Sequence, residues 1–385
     1  MRCQRLLLAC LVTTLTLALT SQAKASCAAP ANPIEAENCL TGTPQTTWDI
    51  CGSAAGDATI QGFATDISVN VGQTISFKIN THAAYKLDIY RMGYYQGNGA
   101  RLINTIRPSV PLPQPQPACL TDAYANLVDC GNWAVSASWT VPANATSGIY
   151  FAKVTRTDTG GASHIVFIVR NDASTSHILF QTADETWQVQ NDYGGSRFLG
   201  RPGALELNNY GNKVSYNRPF RTSFVSYAEY PIVGFLEAKG YDVSYFTSVD
   251  AARSGSLIMQ HKAYISAGHD DYWSGPKRAS IETARSAGVY LVLFSGNEGM
   301  WKTRWENSID GTNTPYRTLA YEGATQSHWL PFPFPFRASR RVERVLPDGT
   351  EDLGNLARLT VDWERSNGSF SLAPVARTCS PNAAR

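Results

Sequence analysis

Apolar and polar residues alternate with a period of two through the first half of the chain, and then the rhythm changes. Between Asp57 and Asn171 the runs Asp66–Val69, Ile75–Ile79, Lys86–Tyr90, Ile149–Val154 and His164–Val169 are alternating or β-branched, as half-buried strands are. Gly72, Gly97-Asn98-Gly99 and Gly160-Gly161 punctuate them as turns. Short strands at this spacing, with no helical stretch between them, predict an antiparallel β-sandwich over 57–172. The run Arg91–Arg101, dense in tyrosine and glycine, reads as a hairpin that packs against whatever follows.

After the polar hinge Asn171–Ser176 strands and helices alternate. The strand His177–Thr182 comes first. A helix over Tyr230–Lys239 stops at Gly240 and feeds the strand Tyr241–Phe246. A second helix near Ala251–Gln260 leads to Tyr264–Ala267, and a third, Pro276–Ala287, stops at Gly288 before Val289–Phe294. Apolar strands, glycine stops and short links predict an α/β domain over 177–330 with a mostly parallel, doubly wound sheet. Right-handed crossovers place the carboxyl ends of these strands on one edge, so Thr182, Gly268–Ser274 and Ser295–Glu298 should face one crevice. The long polar insertion Ala183–Glu229 is expected to fold over that crevice, bringing Tyr193 and Tyr216 toward His269 and Asp271.

The stretch Lys262–Ser274 concentrates the candidate chemistry. It opens as a β-prone run, stops at Gly268, and then presents His269, Asp270, Asp271, Tyr272 and Trp273. Loops leaving the carboxyl end of a strand in an open α/β sheet are where ligands and catalytic groups collect. His269 and Asp271 are therefore the first candidates; the competing reading is that His269 and Asp270 cap the next helix.

Composition adds location. Residues 1–25 read as a secretory signal, with Arg2 and Arg5, an apolar run from Leu6 and the cleavage pattern Ala23-Lys24-Ala25. The apolar run is too short to span a membrane, so a secreted or periplasmic protein is expected. Without that segment the 33 Lys+Arg fall to 30 against 31 Asp+Glu, and a near-neutral chain has no electrostatic case for nucleic acid or an anionic membrane. Cysteines crowd the amino-terminal half, including a segment at 26–56, as in an oxidising compartment; Cys119 with Cys130, and Cys39 with Cys51, are the expected pairs. Residues 331–385 form an Arg/Pro-rich tail without periodicity.

Four motifs in order resemble the N,N-dimethylformamidase large (beta) subunit family: Tyr90-Arg91-Met92-Gly93-Tyr94-Tyr95, Ser215-Tyr216-Asn217-Arg218-Pro219, Gly268-His269-Asp270-Asp271-Tyr272-Trp273-Ser274, and Asn297 followed by Trp301-Lys302 and Arg304. The resemblance spans about Ile60 to Glu322. It implies a β-sandwich joined to an α/β domain with a glutamine-amidotransferase-like sheet, and hydrolysis of the C–N bond of a small amide at a mononuclear iron, Fe3+ in state. Carried over, it makes Tyr193, Tyr216 and Asp271 the metal ligands, with His269 and Asn297 as catalytic groups and a small partner subunit or homo-oligomer as company. Hard phenolate and carboxylate oxygens suit a ferric ion. The family motif has glutamate where Asp271 stands, and a lysine where Glu322 follows Tyr321.

Other chemistries find less support. No cysteine occurs between Gly131 and Thr378, which removes a thiol nucleophile, and neither a G-x-S-x-G elbow nor an H-E-x-x-H helix occurs. Trp187, Trp273, Trp301 and Trp305 could instead form a sugar-stacking platform. The alternative reading is thus an exported carbohydrate-binding or cell-surface module, binding a glycan on the same fold without catalysis.

Overall fold

The computed structural model describes residues 27–50, 56–108, 110–195, 213–221, 229–294 and 298–322. The signal at 1–25, the tail at 331–385, Cys51 and Asn297 lie outside these residues. Two short helices open the described chain, α1 (Pro33–Asn38) and α2 (Gln45–Trp48). The amide-bearing Asn32 caps α1 by accepting from the backbone N–H groups of Ile34 and Glu35, which supplies two of the donors a helix start leaves open.

Ten strands follow: β1 (Ile60–Ala64), β2 (Ser68–Asn70), β3 (Thr74–Thr81), β4 (Tyr85–Met92), β5 (Ala100–Ile106), β6 (Leu120–Asp122), β7 (Leu127–Asp129), β8 (Ala137–Thr140), β9 (Gly148–Arg156) and β10 (Ala162–Arg170). One sheet runs β1-β3-β8, another β2-β10-β9-β4-β5, and β6-β7 is a separate hairpin. All pairs are antiparallel except β2 with β10. Every second residue of β3 is buried, and these side chains meet those of the larger sheet around Phe77, Trp139, Tyr150 and Phe167. The two sheets thus share one core, as the layers of a sandwich do.

The rest of the chain supplies β11 (Ile178–Thr182), α3 (Asp184–Gln190), β12 (Lys213–Ser215), α4 (Glu229–Ala238), β13 (Val243–Thr247), α5 (Ser248–Arg253), β14 (Ala263–Ala267), β15 (Tyr272–Ser274), α6 (Gly275–Ser286), β16 (Tyr290–Phe294), β17 (Trp301–Glu306) and β18 (Thr318–Tyr321). Strands β13-β11-β14-β16 form a four-stranded sheet whose neighbours are all parallel. Its buried strands carry apolar residues on both faces. Phe180, Tyr245 and Ile265 pack toward α4 and the β9–β10 layer; Leu179, Phe246 and Tyr264 pack under α5 and α6. A second, mixed sheet, β12-β18-β17-β15, stands beside it and was not foreseen in the sequence.

Three expectations change in detail. The second helix begins at Ser248 rather than near Ala251, because Thr247 and Asp250 form a reciprocal capping box, and its latter half is a 3-10 turn over Gly255–Gln260. The insertion after β11 does not start as irregular cover: Asp184–Gln190 is a helix whose residues up to Val189 are buried. Cys119 pairs with Cys130, but Cys39 pairs with Cys27 rather than Cys51, since α1 brings its two ends together across one short helix.

The two layers are bolted through the interior. The guanidinium of Arg91, wholly buried on β4, donates to both carboxylate oxygens of Glu237 on α4 at 3.1 and 2.8 Å, and to the carbonyl of Ser147 at 2.9 Å. Tyr245 also donates to Glu237, at 3.0 Å. The Arg91–Arg101 run therefore packs against the second half of the chain.

Candidate functional site

Strand β14 ends at Ala267, and Gly268 turns the chain at φ +87°, a left-handed conformation that glycine adopts without strain. The next residues are held from several sides. Thr186 of α3 donates its hydroxyl to the carbonyl of His269. Backbone N–H groups of Gly299 and Trp301 donate to the carbonyls of Asp270 and Asp271 at 3.0 and 2.8 Å.

Asp270 points inward and is wholly buried. Its Oδ2 accepts from Gln181 Nε2 (2.8 Å), Ser266 Oγ (2.9 Å) and Trp273 Nε1 (3.0 Å), and its Oδ1 from Lys277 Nζ (2.6 Å). It therefore caps no helix; the cap of α6 is Ser274, whose side chain accepts from the Lys277 N–H. His269 is exposed and Asp271 half-buried. Asp271 Oδ1 is buried and has no hydrogen-bond partner. Burial pushes this carboxyl up to about 6, with the neighbouring His269 pulling against it. A loop braced on its backbone and at Asp270 thus leaves one imidazole and one carboxylate oxygen uncommitted.

Behind the loop lies a buried polar network at the carboxyl edge of the parallel sheet. Asp184 accepts from the backbone N–H of Ser248 (2.7 Å), Thr182 Oγ1 (2.9 Å) and the Tyr216 hydroxyl (3.0 Å); burial still raises it to about 6. Glu185 meets Lys277 at 3.1 Å, yet its Oε1 is unpartnered. Burial raises Glu185, and its share of one ammonium does not offset this. Glu298 is raised by burial and by the Asp270 charge, and its Oε1 is also unpartnered. Glu229 accepts from Ala183 N and Trp187 Nε1 at 3.1 and 3.0 Å, leaves Oε2 unpartnered, and is pushed by burial to about 7. Of these groups Asp184, Glu185 and Glu298 are legible in the sequence as acids near the crevice, with nothing to fix their separation, and Glu229 is not. Consecutive acids Asp184-Glu185 directly after the apolar strand β11 were the available signal, because acidic residues favour a helix first turn.

The three expected iron ligands have different surroundings. Asp271, with its unpartnered oxygen, fits a metal ligand. The Tyr216 hydroxyl is committed to Asp184, and its ring packs with Val189, Val214 and Tyr272. Tyr193 packs in a different cluster, against Phe63, Val128 and Trp133 beside the Cys119–Cys130 disulfide. Burial raises both phenols, which favours their neutral forms. Among the described residues no group of three His, Cys, Asp or Glu side chains is arranged to hold a metal. To act as a ligand Tyr216 would have to give up its bond to Asp184, whereas Asp271 already has an uncommitted oxygen.

Two further expectations meet the structure here. Trp187 and Trp273 are buried and donate to Glu229 and Asp270, so they present no face to a sugar. Trp301 and Trp305 are half-buried against Tyr321, Tyr216 and Tyr316. The negative charge of Glu322, where the resembled family has lysine, is neutralised by Lys302 at 2.8 Å on the adjacent strand.

A four-stranded parallel sheet with a braced, acid-rich loop at its carboxyl edge thus packs on a layered β-module. Residues 86–337 match the family described as N,N-dimethylformamidase beta subunit-like, C-terminal, and the chain belongs to that family. Curated proteins give no match. Among solved structures, one likeness is to a family 123 glycoside hydrolase from Clostridium perfringens, studied for glycolipid glycan hydrolysis. It has 11% identity and a TM-score of 0.15 over 62% of this chain and 72% of that one, a degree that carries no argument. No described helix is long and apolar enough to cross a membrane.

Proposed function

We propose that this protein is a hydrolase that cleaves the C–N bond of a small amide at the carboxyl edge of the parallel sheet. The observation that carries the reading is the unpartnered, buried Oδ1 of Asp271 beside the exposed His269, on a loop within a region matched by an amidase-type family. Asp271 takes a proton from water as the water oxygen bonds to the amide carbon. His269 delivers a proton to the amine nitrogen as the C–N bond breaks, giving a carboxylic acid and an amine. A base whose pKa lies near the working pH is effective in that role. Asn297 is assigned to orienting the substrate.

If iron is bound, Tyr193, Tyr216 and Asp271 would hold it and it would supply a Lewis acid for the carbonyl oxygen, Asp271 then serving as ligand in place of base. Helices on both faces of the parallel sheet support reading it as a doubly wound, glutamine-amidotransferase-like domain. The disulfides Cys27–Cys39 and Cys119–Cys130 favour an exported protein, and the family name favours a partner subunit. The test is amine release from small N-alkyl amides together with elemental analysis. Asp271→Asn and His269→Ala should each lower turnover about 100-fold or more with the fold retained. Unchanged turnover in both variants would sink the assignment, and metal-free active protein would remove the iron.

A further inference from the structure

The buried face of α6 is set by Lys277, Ile281 and Ala284, spaced as one helical stripe. At the first of these positions the pattern calls for an apolar side chain, yet it holds a wholly buried ammonium. Lysine is rarely buried so completely unless paired, and bringing its charge out of water is costly. Here the ammonium gathers four acceptors. Nζ donates to Asp270 Oδ1 at 2.6 Å, Glu185 Oε2 at 3.1 Å, Ser248 Oγ at 3.1 Å and the Tyr272 carbonyl at 3.4 Å. Two of these groups flank Asp271 in the chain, and the other two belong to α3 and α5.

We propose that Lys277 is a positioning residue: its ammonium, anchored by Glu185 and Ser248, fixes Asp270 and Tyr272 and so aims Asp271 and His269 out of the loop. An apolar side chain would fill the same place in the core, but would take the ammonium from Asp270 Oδ1 and leave the loop to Thr186, to the backbone bonds from Gly299 and Trp301, and to Gln181, Ser266 and Trp273 at Asp270 Oδ2. The inference rests on the reading of this loop as the reaction site.

The test is the paired variant Lys277→Met with Glu185→Gln, which removes the ammonium and one of its two carboxylate partners and leaves Asp270 to the donors Gln181, Ser266 and Trp273. The variant should fold, since a buried ion pair can often be replaced by groups of similar volume. Its amide protons at 269–272 should exchange about tenfold faster or more. Turnover number kcat should fall about 100-fold, as misplacement of catalytic groups does, while KM moves little. A folded double variant with wild-type exchange and wild-type kcat overturns the proposal. So does an equal loss of exchange protection across the whole chain, which marks a merely structural role. If the double variant does not fold, Lys277→Arg decides, because the charge remains while the four-way geometry cannot be reproduced by a planar fork; wild-type loop exchange and kcat there overturn it. Should wild-type protein turn over no amide, the proposed reaction fails, and loop exchange by itself decides the positioning role.

Discussion

Glu237→Gln should be the most damaging conservative change outside the site. Arg91 is completely enclosed, and its charge is balanced chiefly by the two carboxylate oxygens of Glu237. Burial alone would lower the Arg91 pKa, but Glu237 and the Tyr95 and Glu37 groups outweigh it and hold it well up. Glutamine keeps the shape and the acceptor for Tyr245, but it removes the charge and turns an amide NH2 toward a guanidinium that can only donate. Glu37 cannot replace it fully, since it already accepts from Tyr95 at 2.7 Å and from Arg101. Breaking a buried pair from one side costs about 3–5 kcal/mol, against a total stability on the order of 5–15 kcal/mol for a domain. Urea denaturation followed by tryptophan fluorescence reads this as a lower midpoint at unchanged slope. The double variant Arg91→Met with Glu237→Leu should recover most of the loss. A single variant that costs less than about 1 kcal/mol would refute the reasoning, because it would mean the pair is hydrated or is held elsewhere.

Glu229 sets a pH signature. Its carboxyl is raised in the fold from the ordinary 4.5 to about 7, so the folded protein binds the proton more tightly than the unfolded chain, and stability is lost as pH rises from about 4.5 through 7. At about 1.4 kcal/mol per unit this contribution is at most about 3.5 kcal/mol. Glu229→Gln should flatten the decline, measured as melting temperature against pH, and an unchanged slope would contradict it. Reducing Cys119–Cys130, which closes a loop with a sequence separation of 11, should cost about 2–4 kcal/mol. Comparing denaturation of wild type with Cys119→Ser/Cys130→Ser tests this; equal midpoints would count against a stabilising bridge.

Much of this architecture was legible because periodicity reports burial directly. The strands of the first layer, the parallel strands and the glycine-stopped α4 and α6 all follow from spacing and from positions such as Gly240 and Gly288, whose φ values are positive. The turn at Gly268 that exposes His269 was readable for the same reason. The polar interior was not. Asp184, Glu185 and Lys277 look like solvent-facing residues in a sequence, and only tertiary neighbours make their burial tolerable. The mixed sheet escaped notice because β17, Trp301–Glu306, is largely half-buried with no clean alternation. Motif order likewise says nothing about which core a ring enters, so the separate surroundings of Tyr193 and Tyr216 were not readable.

The first helix has a consequence for when, rather than where, the chain becomes ordered. Asn32 donates to the carbonyl of Gly240 at 3.0 Å and Asn38 to that of Glu237 at 3.3 Å, across 208 and 199 residues of sequence. During synthesis the partners of α1 emerge roughly 10–40 s after it, at about 5–20 residues per second. Throughout that interval α1 has its disulfide and its bonds from Glu37 and Asn38 to Tyr95 and Arg101, but lacks those to α4 and Gly240. The turn around α1 should therefore finish ordering only when α4 arrives: chains halted before Gly240 should be more protease-sensitive at Asn32–Asn38 than the full chain, and equal protection there would show that the first layer alone settles it.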